Sequence, residues 1–409
     1  MYKQQRPGRI SRRGFLAAAG TTVAAATIVP RHVLGAGQQP PSETITYALI
    51  GNGGRKDSGL KGMKEFRRIA VCDVDTARLG GPPDNQARFT DFRRVMDRKE
   101  IDVVCIGTPP HWHALPCIAA AQAGKDIFCE KPMTKFIAEG RAVADAVKRY
   151  GVIFQIGTFG RFKASQGKDN IENHKIIKYG LLPDLTGTVG HFSGHARTGL
   201  TALPEQPVPP NLNYDLWLGP APYKPYNVAR VHYNNRFYWD YEGGDVTNFG
   251  AHSIDPVQWV YAKDETGPVQ VELSSDFWPQ HPDAVGPPGC VVLTYADGLK
   301  LVYGSGGRIK VQAKRSLVKA SDLDAAGRKR LAALPDPPRL VPFGEAVRTR
   351  QQAGGSAEAS HRGVTLLHLV NIAFRIGRDF RWDPVAEKIV GDEEANRLVD
   401  IPMRAPWHL

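Results

Sequence analysis

Between residues 44 and 156 the chain alternates short, uninterrupted apolar runs with stretches of helical period. The apolar runs are Thr44 to Ile50, "RRIAVCDVD", Ile101 to Thr108, "DIFCEKP" and Val152 to Ile156. Between them Phe92 to Lys99 reads as helix. So does His111 to Ala123, which Gly124 stops, and so does Lys135 to Tyr150, which ends at Gly151. The strand runs do not alternate polar with apolar residues. A strand that is apolar on both faces is covered on both faces, so the pattern predicts a parallel sheet with helices on either side. Ligands sit at the carboxyl ends of such strands. Gly51, Asp73, Thr108 and Glu130 fall at those ends.

The pattern changes after residue 160. Residues 183 to 240 are rich in Pro and aromatic residues and read as loops. Gly243 to Ala262 and His361 to Arg378 read as helices, and residues 314 to 360 as polar and irregular. Gln270 to Phe277, Gly289 to Tyr295 and Leu299 to Tyr303 read as strands of an antiparallel sheet. The expected architecture is α/β: a doubly wound parallel sheet over residues 43–160, then an α+β domain with a mostly antiparallel open sheet over 161–409. Two domains also suit a chain whose roughly 370 residues beyond the leader exceed one comfortable core.

Composition adds a leader. Residues 1–36 hold Lys3, Arg6, Arg9, Arg12, Arg13 and Arg31 and no acid, and Gly14 to Val29 is a mild Ala/Thr-rich apolar run. Ser11-Arg12-Arg13-Gly14-Phe15-Leu16 resembles a twin-arginine export signal, a route for folded cargo. The expectation is export, with the product periplasmic or anchored by an uncleaved leader, and residues 37–42 as a linker. The formal charge of +12 falls to about +6 without the six leader cations. Those charges are interspersed, so no nucleic-acid surface is expected. Cys72, Cys105, Cys117, Cys129 and Cys290 are odd in number and lack metal spacing. Cys72, Cys105 and Cys129 lie inside apolar runs and read as small buried hydrophobes, and no metal site or disulfide framework is expected.

Three stretches carry chemistry. Gly51-Asn52-Gly53-Gly54-Arg55 follows the first strand, where glycines let the backbone approach a pyrophosphate; Lys56 stands where a third glycine is usual. Asp73 ends the second strand, placed to accept from a ribose, or else to serve as a turn residue. It disfavours a 2′-phosphate, while Arg55 and Lys56 pull the other way, so NAD is preferred modestly over NADP. Glu130-Lys131-Pro132 closes a buried strand, where charges need partners or a ligand. In "GGDVTNFGAHSIDP", Asp245, Asn248, His252 and Asp255 share one stripe of a helix, which is often merely the solvated face. Pro256 removes the hydrogen bond to the His252 carbonyl and is expected to kink that helix.

The order Thr108-Pro109, His113, Ala123-Gly124-Lys125, Glu130-Lys131-Pro132, then Gly243-Gly244, Gly250 and His252, resembles the glucose–fructose oxidoreductase, inositol dehydrogenase and MocA (Gfo/Idh/MocA) family. Asn248 stands at that family's Asp position. "QIGTFGRF" keeps Gln155, Gly157 and Arg161 of a related loop but has Gly160 for its usual Gln.

The resemblance implies a nicotinamide cofactor held by Gly51, Asn52, Gly53, Gly54, Arg55, Asp73, Thr108, Pro109, His113, Glu130 and Lys131. It implies Lys131, His252 and Asn248 at the reacting carbon, with His252 as general base on a substrate hydroxyl. Tyr233, Arg236, Tyr238 and Trp239 precede the motif helix, and aromatics there suit a sugar face or a core. Arg161, Tyr238, Trp239, Asp245 and Asp255 are the expected substrate contacts. The expected function is hydride transfer between tightly held NAD(P) and a sugar, sugar derivative or polyol, in a homo-oligomer exported by the twin-arginine machinery. A redox-neutral glycosidase and a non-catalytic ligand-binding relic are the alternatives.

Overall fold

The computed structural model describes residues 44–54, 59–60, 63, 65–80, 86–276, 279–305, 307–309 and 311–409. The leader, the linker and Arg55 lie outside them. The apolar runs become β1 (Ile45–Ile50), β2 (Phe66–Cys72), β4 (Val103–Ile106), β5 (Asp126–Cys129) and β6 (Phe154–Ile156), joined by the short half-buried edge strand β3 (Ala87–Phe89). They form one parallel sheet in the order β3-β2-β1-β4-β5-β6. Every residue of β4 and β5 is buried, which is why these strands carry no polar–apolar alternation. Helices α1 (Ala114–Gln122) and α2 (Ile137–Tyr150) cover the sheet, and Gly151 closes α2 in the left-handed region. The strand order reverses between β1 and β4, where a crevice opens at the carboxyl ends.

The second sheet runs β12-β11-β8-β9-β10-β7, with β7 (Val189–Phe192), β8 (Gln270–Leu273), β9 (Val291–Thr294), β10 (Lys300–Tyr303), β11 (Phe380–Asp383) and β12 (Lys388–Ile389). Its pairs are antiparallel except β7 with β10. Strand β7 lies in the region the sequence reads as loops, and its four residues leave too short a pattern to stand out. The segment 314–360, expected to be irregular, contains helices Ala325–Ala333 and Phe343–Thr349. The first buries only Leu331, so it has no apolar stripe to reveal it.

The helix expected over Gly243 to Ala262 divides at Phe249. With α3 set at Gly160–Ala164, the motif stretch forms α4 (Gly244–Asn248) and α5 (Gly250–Val260), and α5 runs on through Pro256. Gly160 explains how the proline is accommodated. A Cβ there would stand 3.0 Å from Pro256 Cδ and 3.4 Å from the His252 carbonyl oxygen, so α3 packs directly on that turn. Helix α6 (Ala357–Ile376) is buried between the halves, and Arg141 of α2 reaches Glu358 at 2.7 and 2.9 Å. All five cysteines are free and buried. Among the described residues no His/Cys/Asp/Glu cluster could hold a metal ion, and no helix is long and apolar enough to cross a membrane.

Candidate active site

A cavity of about 550 Å³ follows the crevice from the glycine turn to Lys131. Gly51 sits at φ +88°, and a Cβ on it would lie 2.6 Å from the backbone nitrogen of Thr108. Only glycine lets the β1 and β4 turns meet so closely, and their meeting forms the floor of the cavity. Gly53 and Gly54 border the same space, as do Thr108 and Pro109. The Thr108 hydroxyl is buried without a hydrogen-bond partner among the described residues, so a ligand oxygen there would satisfy it. Asp73 also lines the cavity and accepts from the backbone of Asn52 at 2.7 Å and of Asp75 at 2.9 Å. Burial raises its pKa above the ordinary carboxylate value, against those two N–H groups. These features fit a dinucleotide, with its adenosine half beside Asp73. Gly51→Ala is expected to cost about 1–2 kcal/mol in backbone conformation alone. Because the clash is with backbone, it should also weaken NADH binding more than roughly tenfold, read by fluorescence titration.

The cavity is roofed by residues 211–242. This segment is tied to the β2 turn: Thr76 N–H donates to Asn211 at 2.9 Å, Asn213 N–H to Val74 at 3.0 Å, and the Asn211 side chain to Asp75 at 2.6 Å. Trp217, His232, Tyr233 and Arg236 face inward from the roof.

At the far end Lys131 precedes a cis Pro132 and donates from Nζ to the Asn248 backbone oxygen at 2.9 Å and to Asn248 Oδ1 at 3.1 Å. Arg236 donates to the same Oδ1 at 3.2 Å. Asn248 Nδ2 donates to Glu242 Oε1 at 2.8 Å. Burial pushes the Glu242 carboxyl up to about 7, although the Lys131 charge and the Asn248 amide both favour its ionised form. Lys131, Glu242, Asn248 and Phe249 all border the cavity, as does Glu130.

Several expected site residues lie elsewhere. His252 is exposed and does not border the cavity. Asp245 is buried and held bidentately by Arg197 at 2.9 and 3.0 Å. Asp255 accepts from Arg161 Nε at 2.6 Å, and Arg161 also reaches Asp264 at 3.0 Å, so both are spent on a buried ion-pair knot. The four polar residues of the stripe therefore do not face one site together. Tyr238 and Trp239 are core residues. Tyr238 lies in a cluster with Trp217 and Tyr241, and Trp239 donates its indole N–H to the His281 carbonyl at 3.1 Å. The 3-10 turn His232–Phe237 swings those two inward and leaves His232, Tyr233 and Arg236 on the cavity.

His113 sits one layer behind the cavity, with its ring nitrogens 2.8 Å from the Thr108 and Pro132 carbonyls. Burial opposes its charged form. The neighbouring Cys129 and the two carbonyls prevail and hold its pKa up to about 9. Its role is to clamp the β4 and β5 turns together. Asn52 does not border the cavity either; its side chain turns back to the Arg78 carbonyl. The sequence reading missed Glu242, Arg78, Trp217 and Trp407, all on the cavity wall. An acid directly before Gly243-Gly244 was the available signal for Glu242. Trp407 left none.

A doubly wound dinucleotide-type domain, followed by an α/β domain that completes its cavity with Lys131 at the junction, defines a two-domain nucleotide-dependent enzyme class. Residues 45–158 match "Oxidoreductase family, NAD-binding Rossmann fold" and residues 168–409 match "Oxidoreductase family, C-terminal alpha/beta domain". The chain belongs to the Gfo/Idh/MocA oxidoreductase family, and its N-terminal domain is an NAD-binding Rossmann fold. It is similar to levoglucosan dehydrogenase of Pseudarthrobacter phenanthrenivorans, at 45% identity over 67 residues, 16% of this chain and 17% of that protein. It is also similar to a glycosyl hydrolase family 109 protein of Shewanella baltica, at 28% over 174 residues, 34% of this chain and 37% of that protein. Both alignments span far less than two thirds of the relative. The fold resembles a WlbA dehydrogenase from Bordetella pertussis solved with NADH and UDP-GlcNAcA, with TM-score 0.52 and 14% identity over 83% of this chain and 99% of that one.

Proposed function

We propose that this chain transfers hydride between a tightly held NAD and a CH–OH carbon of a sugar, sugar derivative or polyol. The observation that carries the reading is one continuous cavity running from the glycine turn and Asp73 to Lys131, Asn248 and Glu242. NAD, when bound, supplies the hydride acceptor or donor. The protein supplies position and proton handling. Gly51, Gly53, Gly54, Asp73 and Thr108 hold the dinucleotide. Lys131, oriented by both oxygens of Asn248, meets the substrate oxygen and stabilises the charge that develops on it. Glu242 is the general base, because a carboxyl near 7 both exists as carboxylate at neutral pH and takes a proton readily.

Catalysis needs Glu242 ionised, so kcat/KM should rise with pH through about 7. Glu242→Gln should flatten that limb and lower kcat by about a hundredfold. For stability the sign reverses. A carboxyl raised in the folded state contributes most below its ordinary range of about 4.5, and that contribution is lost as pH rises through about 7. Glu242→Gln should therefore melt higher than wild type above pH 7. An unmoved acidic limb would exclude Glu242 as the base.

The roof over the cavity and the twin-arginine leader both support a cofactor loaded before export and regenerated in place. The test is to purify the exported protein, denature it, and identify released NAD or NADP and its redox state. Stoichiometric nucleotide is expected. Nucleotide-free protein that needs saturating added NAD would count against retention. Redox-neutral glycoside cleavage is the second reading, favoured by the likeness to the family 109 hydrolase. Release of free sugar from a glycoside without added NAD would select it.

A further inference from the structure

Residues 401–409 return across the roof and end on the cavity. Arg404 anchors them. Its backbone N–H donates to the Pro220 carbonyl at 2.9 Å, and its guanidinium reaches the Gly219 carbonyl at 2.9 Å, the Asp215 carbonyl at 2.8 Å and the Asp215 carboxylate at 2.6 Å. Three residues on, Trp407 is half-buried and borders the cavity. Its ring meets Trp112 edge to face at 4.8 Å, and the Arg93 guanidinium lies 5.4 Å from its centroid. Trp112 in turn packs on Phe92 at 5.7 Å, and Thr90, Phe92, Trp112 and Pro116 border the same end of the cavity.

This is the end beyond β2 and β3, away from Lys131. On the reading of the cavity as the NAD site, it receives the adenosine half. An aromatic-walled slot suits a flat base, since stacking on aromatic side chains is indifferent to the base's hydrogen-bond pattern. The anchor and the closing side chain have different attachments. Arg404 is tied to the roof, whereas Trp407 packs on Trp112 and Arg93 of the Rossmann half. Opening the adenosine end therefore requires the segment to leave one side or the other.

We propose that residues 404–407 form a strap over the adenosine end of the cavity, with Trp407 as the side chain that retains the dinucleotide. The strap acts on release, and Trp407 is a positioning residue rather than a catalytic one. The experiment measures NADH release from the full chain by stopped flow, using nicotinamide fluorescence and excess NAD to block rebinding. Trp407→Ala should speed release by about tenfold or more, the loss of one base–aromatic contact. Trp407→Phe should restore most of the retention, which a general loosening of the fold would not allow. Arg404→Gln, outside the cavity, should also speed release, and it carries the test if Trp407→Ala does not fold. Release from Trp407→Ala or, in its place, Arg404→Gln within about twofold of wild type would overturn the strap. A wild-type chain that carries no nucleotide when purified and takes up no added NADH would overturn the cofactor reading and the strap with it.

Discussion

Lys131→Met is expected to abolish turnover while leaving NADH binding within a few-fold of wild type. Lys131 borders the cavity at the end where the reacting carbon would sit, and two oxygens of Asn248 aim its Nζ. A preorganised cation facing a developing oxyanion acts where water is excluded, so its loss is expected to lower kcat by about a thousandfold. Methionine keeps the stem's bulk and removes the charge. The effect should fall on kcat, because the lysine's contribution grows as charge develops on the substrate oxygen. His252→Ala provides the contrast. Its ring is exposed and off the cavity wall, so a modest change in rate is expected. A severe His252→Ala with a mild Lys131→Met would reverse the assignment and return the base to His252.

Arg161→Met should produce the largest stability loss. The guanidinium is almost wholly buried, holds the Asp255 and Asp264 carboxylates, and donates to the Gly354 carbonyl at 3.2 Å. Those charges hold its pKa above the ordinary arginine value even though burial opposes the charge. Removing it leaves Asp255 buried with an uncompensated charge, which costs about 3–5 kcal/mol. For a unit of this size that is on the order of 5 °C in Tm. A variant that melts with wild type at neutral pH would show that the knot contributes nothing.

Much of the first domain was legible because its signals are local. Buried strands such as "VVCI" and "DIFC" declare themselves by lacking any polar position. Gly51 and Asp73 were legible because a turn at a strand end must meet them whatever the rest of the chain does. The edge strand β3 and the parallel strand β7 were not, because three or four residues carry no period. The motif helix was read correctly as helix and incorrectly as one continuous stripe. The helix divides at Phe249; Asp245 meets one arginine, Asn248 borders the cavity, Asp255 meets a second arginine, and His252 is exposed.

The sequence by itself determined the Rossmann sheet, its covering helices, the glycine turn and the Lys131 strand end. Each of these follows from residues adjacent in the chain and from the requirement that apolar surface be buried and buried charge be matched. Only the tertiary structure decided which polar groups face the cavity. Asn248 lies 117 residues from Lys131, Arg161 is 94 residues from Asp255, and Trp407 meets Trp112 across most of the chain. A carboxylate or an indole looks the same in sequence whether its partner is a ligand, a salt bridge or the core. Its partner is settled when distant segments pack, because the same desolvation that brings them together leaves each buried polar group one place to bond.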